Sequence, residues 1–175
     1  MHSYHFCPFC GTKYQSVQPE KWARHCHSCQ KTFYQNQATT SCGVIVEQRK
    51  MLFVVRSRDP GEGMLDLPGG FAEPDEEIQA SLIRELQEEL SVRTMVIKFL
   101  GLYDPVPYEF QGSMGYNCDH FYLVELLEHD LKPADDVAKI QWRSLDDLPQ
   151  PAEMAFESQQ WFLEQVRNKK ISFLS

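Results

Sequence analysis

The chain has 175 residues, with 17 Lys and Arg against 25 Asp and Glu for a net charge of −8, and it is 42% apolar and 12% aromatic. That is length for one ordinary domain plus a small module, with enough apolar material to build a core, which excludes a disordered segment. The acidic balance excludes a non-specific nucleic-acid binder, which needs surplus positive charge to neutralise phosphates. No apolar run approaches the ~20 residues that span a bilayer. The opening Met-His-Ser-Tyr-His-Phe-Cys lacks the charged and apolar regions of a signal peptide, so a cytoplasmic chain with no membrane partner is expected.

Residues 1–37 carry Lys13, Lys21, Arg24 and Lys31 against Glu20, a balance of +3 that leaves −11 for the rest. Two modules are expected, 1–36 and 37–175, joined at the polar stretch Gln35–Thr40, which has no apolar period. In the first module Cys7-Pro8-Phe9-Cys10 and Cys26-His27-Ser28-Cys29 form two C-x2-C pairs fifteen residues apart. That spacing suits a tetrahedral Zn²⁺ site in which four thiolates leave no open position, so the metal holds structure and does not catalyse. About 35 residues cannot bury enough apolar area to fold unaided, which gives the ion a physical task. Two disulfides, a redox C-x-x-C pair, or His25 or His27 in place of a thiolate are the alternatives. Cys42 and Cys118 read as small buried hydrophobes.

After the seam, Cys42–Glu47 and Met51–Arg56 read as a hairpin turning at Gln48-Arg49-Lys50. A Gly/Pro-rich loop from Asp59 to Gly70 follows, where backbone turns tightly or approaches something closely. Ile78, Leu82, Leu86 and Leu90 recur at steps of four and predict an amphipathic helix over Glu76–Leu90, with Asp75 as N-cap. Strands are expected at Thr94–Tyr103, His120–Glu128 and Ala138–Trp142, and a closing helix over Glu153–Lys169. A sheet with helices on its faces, an α/β class, is the outcome.

Glu85, Glu88 and Glu89 sit at i, i+3 and i+4 of that helix, on one arc. Like charges so packed repel, so either solvent screens them or a cation binds, and hard oxygen ligands suit Mg²⁺ or Mn²⁺. From Gly70 the chain continues with five residues, Glu76, seven residues, and Arg84-Glu85-Leu86-Gln87-Glu88-Glu89-Leu90-Ser91-Val92. This resembles the Nudix box, G-x5-E-x7-R-E-U-x-E-E-x-G-U with U aliphatic, at eight of nine specified positions; Ser91 stands where the pattern has Gly, a position that favours a left-handed turn.

The resemblance implies an α/β/α sandwich with a mixed sheet, and hydrolysis of a nucleoside diphosphate linked to another group X. It implies that Glu85, Glu88, Glu89 and the Gly69 carbonyl bind the divalent cations, that Arg84 orients Glu85, and that Glu76 pairs with Arg84. Gly69 and Gly70 let backbone approach metal and phosphate. The general base varies in such enzymes; Glu85 and Asp136 are the candidates here. A four-cysteine ribbon ahead of a Nudix domain resembles a branch that includes NADH, ADP-ribose and FAD pyrophosphatases. The S-Q-P-W-P-F-P-x-S array of NADH pyrophosphatases is missing from Tyr103–Ser113, which disfavours NADH and NAD-capped RNA without excluding them. Phe71 is placed to stack on a base, with Tyr103, Tyr108, Phe110 and Tyr116 as alternatives, and Arg56 or Arg58 to meet phosphate. Related enzymes pair, so a homodimer is a further expectation. The competing function is a non-catalytic module that senses nucleotide, or binds nucleic acid or protein through the ribbon.

Overall fold

The computed structural model describes residues 5–14, 23–110 and 113–173. They fall into two compact units, one from Met1–Gln37 and Pro107–Tyr116, the other from Ala38–Val106 and Asn117–Ser175. The 107–116 segment, which the second module was expected to contain, groups with the first unit.

In the first unit, strands β1 (Ala23–Cys26) and β2 (Lys31–Tyr34) pair antiparallel, with Cys26 opposite Lys31. An isolated antiparallel bridge joins Phe6 to Lys13. Each C-x2-C pair lies at such a turn, with Gly11 N–H donating to Cys7 O at 2.9 Å and Gln30 N–H to Cys26 O at 2.8 Å.

The main sheet is built from β3 (Ala38–Glu47), β4 (Lys50–Arg56), β5 (Leu65–Asp66), β6 (Gly69–Phe71), β7 (Thr94–Phe110), β8 (Ser113–Leu126) and β9 (Val137–Ser144). Its order is β5-β4-β3-β8-β7, with β6 also on β3 and β9 also on β4. β3 runs parallel to β8 and antiparallel to β4 and β6, so the sheet is mixed. The β3–β4 turn takes two residues, Gln48 and Arg49, both at positive φ (47° and 61°), the twist that a two-residue hairpin favours. The seam expected at Gln35–Thr40 is shorter than its polarity suggests, because Ala38, Thr39 and Thr40 already belong to β3.

Alternation along the strands divides the core between two helices. On one face Val44, Phe53 and Phe121 meet Phe162 and Leu163 of α2 (Glu157–Arg167). On the other, Ile45, Leu52, Val54 and Tyr122 meet Leu82, Leu86 and Leu90 of α1 (Ile78–Leu90), the stripe read from the sequence. The fold is the α/β/α sandwich expected. No helix among the described residues is long and apolar enough to cross a membrane.

Several boundaries differ from the sequence reading. α1 starts at Ile78 with Glu77 in the N-cap position and no side-chain cap, so Asp75 does not cap it. Glu76 is drawn instead into a bidentate pair with Arg84. β7 continues to Phe110 through Pro105 and Pro107; it is the end strand of the order, where a missing N–H is tolerated. The segment ahead of α2 forms a short 3-10 turn at Pro151–Glu153, then extends so that Met154 is buried and Ala155 N–H reaches Leu65 O.

Ser91 ends α1 at φ 59° and ψ 29°, its N–H donating to Gln87 O at 3.0 Å. A serine thus takes the left-handed conformation that glycine adopts without strain. Ser91→Gly is expected to stabilise the fold by about 1 kcal/mol and raise the melting temperature by roughly 2–4 °C. A thermal melt that shows no increase would refute this.

Candidate active site

Backbone closeness sets the geometry of the loop before α1. Gly69 lies at φ 139°, and a Cβ there would fall 2.0 Å from Ser41 O. A Cβ on Gly70 would meet the carboxyl carbon of Glu85 at 2.6 Å. At Gly69 backbone itself leaves no room for a side chain, whereas at Gly70 the close atoms are the end of the Glu85 side chain, so β6 runs directly between β3 and the acidic arc of α1.

Glu85 and Glu89, one turn apart, both face that strand. Glu89 accepts the Gly69 N–H at 2.9 Å and is buried. Burial, with Asp66 adding like-charge repulsion, pushes its carboxyl well above the usual carboxylate range. Glu85 is half-buried and is likewise raised by desolvation, although Arg84 opposes this. Glu88 is the half-exposed member of the three.

Arg84 connects this arc to the loop. Its Nε and Nη2 donate to the two Glu76 oxygens at 2.8 and 2.9 Å, its Nη1 to Glu85 at 2.8 Å and Glu88 at 3.1 Å, and Nη2 also reaches Phe71 O at 3.3 Å. Ser81 Oγ donates to the same carbonyl at 3.2 Å. The guanidinium holds Glu76 down at a pKa of about 2.

Across the site lie two further carboxylates. Asp66 on β5 is buried, accepts from Arg56 Nη1 at 2.7 Å and from Gln159 Nε2, and is raised by burial despite that arginine. Gln159 Oε1 in turn accepts the Leu67 N–H at 2.9 Å. Asp136 accepts from Arg58 Nε at 3.2 Å and lies 3.9 Å from Arg56 Nη2. The charges of both Asp66 and Asp136 bear on Glu89, so all of these groups converge on one region. The sequence reading named Asp136 but missed Asp66 and Gln159. The available signal for Asp66 was an acid inside the apolar run Met64–Leu67, directly before Pro68-Gly69-Gly70.

Arg56 is more enclosed than a free phosphate ligand would be. Besides Asp66, its Nε donates to Pro60 O at 2.6 Å and its guanidinium stacks 5.0 Å above the Phe156 ring. Phe71 is exposed, with its carbonyl turned to Arg84. Cys42 is buried, with its thiol raised by desolvation, and Cys118 is raised for the same reason, so neither is an activated nucleophile.

In the first unit Cys7, Cys10, Cys26 and Cys29 have their Sγ atoms all within 4.8 Å of one another. Among the described residues this is the one such group of three or more His, Cys, Asp or Glu side chains. The Cys7–Cys29 and Cys10–Cys26 sulfurs are 3.7 Å apart, far beyond a disulfide bond of ~2.05 Å. They match the ~3.8 Å edge of a tetrahedron with 2.3 Å metal–sulfur bonds. The carboxylates of α1 are arranged differently, each turned onto a protein donor, Arg84 or the Gly69 N–H.

A mixed sheet between two helices, with a glycine-backed acidic helix, defines a Nudix-type fold and site. Residues 36–165 match the NUDIX domain family, and the chain belongs to that family. It is 26% identical over 136 residues to the ADP-ribose pyrophosphatase of Methanocaldococcus jannaschii, covering 78% of this chain and 77% of that protein. To the NAD-capped RNA hydrolase NudC of Chromobacterium violaceum it is 26% identical over 150 residues, 85% of this chain but 53% of the relative, so the chain spans about half the length of that protein. The crystal structure of a NUDIX hydrolase from Nitrosomonas europaea superposes with a TM-score of 0.73 at 21% identity, covering 94% of this chain and 93% of that one, which shows a shared fold.

The Glu76–Arg84 pair predicts an acid signature. Because the folded-state pKa of about 2 lies below the ordinary 4.5, the pair's stabilisation is fully present above 4.5 and is lost as pH falls toward 2. Side-chain carboxyl NMR should titrate Glu76 near pH 2 in the native chain and near 4.5 in Arg84→Met. An unchanged midpoint in the variant would contradict the assignment.

Proposed function

We propose that the chain is a divalent-cation-dependent pyrophosphohydrolase that cleaves the phosphoanhydride of a nucleoside diphosphate linked to X, releasing a nucleoside monophosphate and phosphorylated X. ADP-ribose is the substrate class to test first. The reading rests above all on the convergence of Glu85 and Glu89 on the Gly69–Gly70 backbone, where Gly69 leaves no room for a side chain, with Arg84 beside them. Family membership and the name of the archaeal relative point the same way.

The donor set fits Mg²⁺ or Mn²⁺. Glu85, Glu88, Glu89 and the Gly69 carbonyl offer hard oxygens, and carboxylates raised by burial and mutual repulsion gain from added positive charge. Such ions, when bound, screen the pyrophosphate charge and lower the pKa of an attacking water. The chain's own residues then have separate tasks. Arg84 orients Glu85 and, through Glu76, fixes the loop that precedes the helix. Glu85, raised by its burial, is the proposed general base, with Asp136 as the alternative held between Arg56 and Arg58. Arg56 positions Asp66 and Asp136 in this scheme and does not itself bind phosphate. Phe71, exposed beside Gly70, offers a face on which a base can stack.

In the first unit, Cys7, Cys10, Cys26 and Cys29 would hold Zn²⁺ as a closed structural site. Burial of Cys7 and Cys26 and the sulfur spacing support four thiolate ligands over two disulfides.

Two experiments test this. Glu89→Gln removes a proposed ligand and little volume, so turnover should fall by more than about a hundredfold, beyond the loss of an outer hydrogen-bond partner, while the circular dichroism spectrum is kept. A product-resolved panel of ADP-ribose, FAD, NADH, NAD⁺ and nucleoside triphosphates with Mg²⁺ and Mn²⁺ provides the readout. Full activity in the variant would refute the ligand assignment. Cys7→Ser should lower both zinc content by elemental analysis and the melting temperature; an unchanged metal content would refute the ribbon site.

A further inference from the structure

On the α2 side of the β5–β4–β9 strands lies an open cavity of about 380 Å³, between the 63–65 segment and β9. Strand alternation points its lining residues away from α1. Val54 pairs with Asp66 and Ile140, whereas Val55 pairs with Leu65 and Lys139, so the two sets project to opposite faces. Lys139, Gln141 and Arg143, at i, i+2 and i+4 of β9, all line the cavity.

Their hydrogen-bonding capacity is unevenly used. Arg143 Nη2 donates to Glu153 Oε1 at 2.7 Å, and the other Glu153 oxygen accepts the Gln150 N–H at 2.7 Å. Glu153 is thereby satisfied within the fold. Arg143 Nε is shielded and has no hydrogen-bond partner, and no side-chain hydrogen bond or ion pair engages Lys139 or Gln141 among the described residues. The cavity thus presents the Lys139 ammonium and the Gln141 amide beside an Arg143–Glu153 ion pair, which leaves the ammonium as its uncompensated charge. In a chain of net charge −8, such a local surplus of cationic donors is a recognition feature for an oxyanion.

We propose that this cavity is a second binding site, for a phosphate monoester or free phosphate, held by Lys139, Gln141 and Arg143 on the face of these strands opposite α1. Its volume falls in the range of small-molecule sites, roughly 300–1,000 Å³, and leaves room for a nucleoside behind the phosphoryl group. The proposal does not depend on the reaction assigned to the other face.

The test is a ¹H–¹⁵N NMR titration of the zinc-loaded chain with inorganic phosphate and, separately, AMP, with no divalent cation added. Saturable shifts are expected at residues 63–65 and 139–143, about tenfold weaker in Lys139→Met and unaltered in Glu88→Gln. Tighter binding of AMP identifies a nucleotide site, and equal binding a site for the free oxyanion. Since neither Lys139 nor Gln141 holds the fold, Gln141→Leu serves as a second variant should Lys139→Met melt early. Shifts confined to residues 69–71 and α1, or wild-type affinity in a folded variant, would overturn the proposal.

Discussion

The guanidinium of Arg84 is the interaction on which the rest of the site depends. Three glutamates at i, i+3 and i+4 repel one another, and two of the three are drawn away from water against a sheet. Arg84 answers that repulsion with several donors at once, to Glu76, Glu85 and Glu88 and to the Phe71 carbonyl. A lysine has the charge but lacks the planar fork that grips both Glu76 oxygens. The same contacts tie the loop to the helix, so neutralising the acidic arc and shaping the loop are one event.

A second set of partners stabilises the opposite wall. Glu89 rests on the Gly69 N–H, and Asp66 lies between Arg56 and Gln159. Each buried carboxylate has a hydrogen-bond donor, which limits the desolvation penalty, yet Glu85, Glu89 and Asp66 all remain raised by burial. The wall is therefore electrostatically tense in a direction that added positive charge relieves. In the proposed reaction, a divalent cation held by the acidic arc would relieve that tension.

Much of this was legible in the residues because the constraints are local. The Leu82, Leu86 and Leu90 stripe gave the helix face, and the glycine pair preceding the acidic arc marked a close backbone approach. The paired cysteines likewise marked turns that bring four sulfurs together. Asp66 and Gln159 were not legible, since their partnership joins positions 93 residues apart and exists only when α2 packs on the sheet. The helix start was misplaced for a related reason: Glu76 reads as a first-turn residue until Arg84, eight positions on, draws it out of the helix. The extent of β7 depends on its place at the end of the strand order, which no local pattern of Pro105 and Pro107 reveals. Ser91 shows the converse, a left-handed turn imposed by the surrounding fold on a residue that does not favour it.

The most direct test of the central claim is a Mn²⁺ titration of the zinc-loaded chain followed by electron paramagnetic resonance of the free ion, with a Glu85→Gln/Glu89→Gln double variant alongside. Saturable loss of the free-ion signal in the native chain, abolished in a folded double variant, is the predicted result. Mn²⁺ binding of equal strength in both, or none in the native chain, would contradict the assignment of the acidic arc as a cation site.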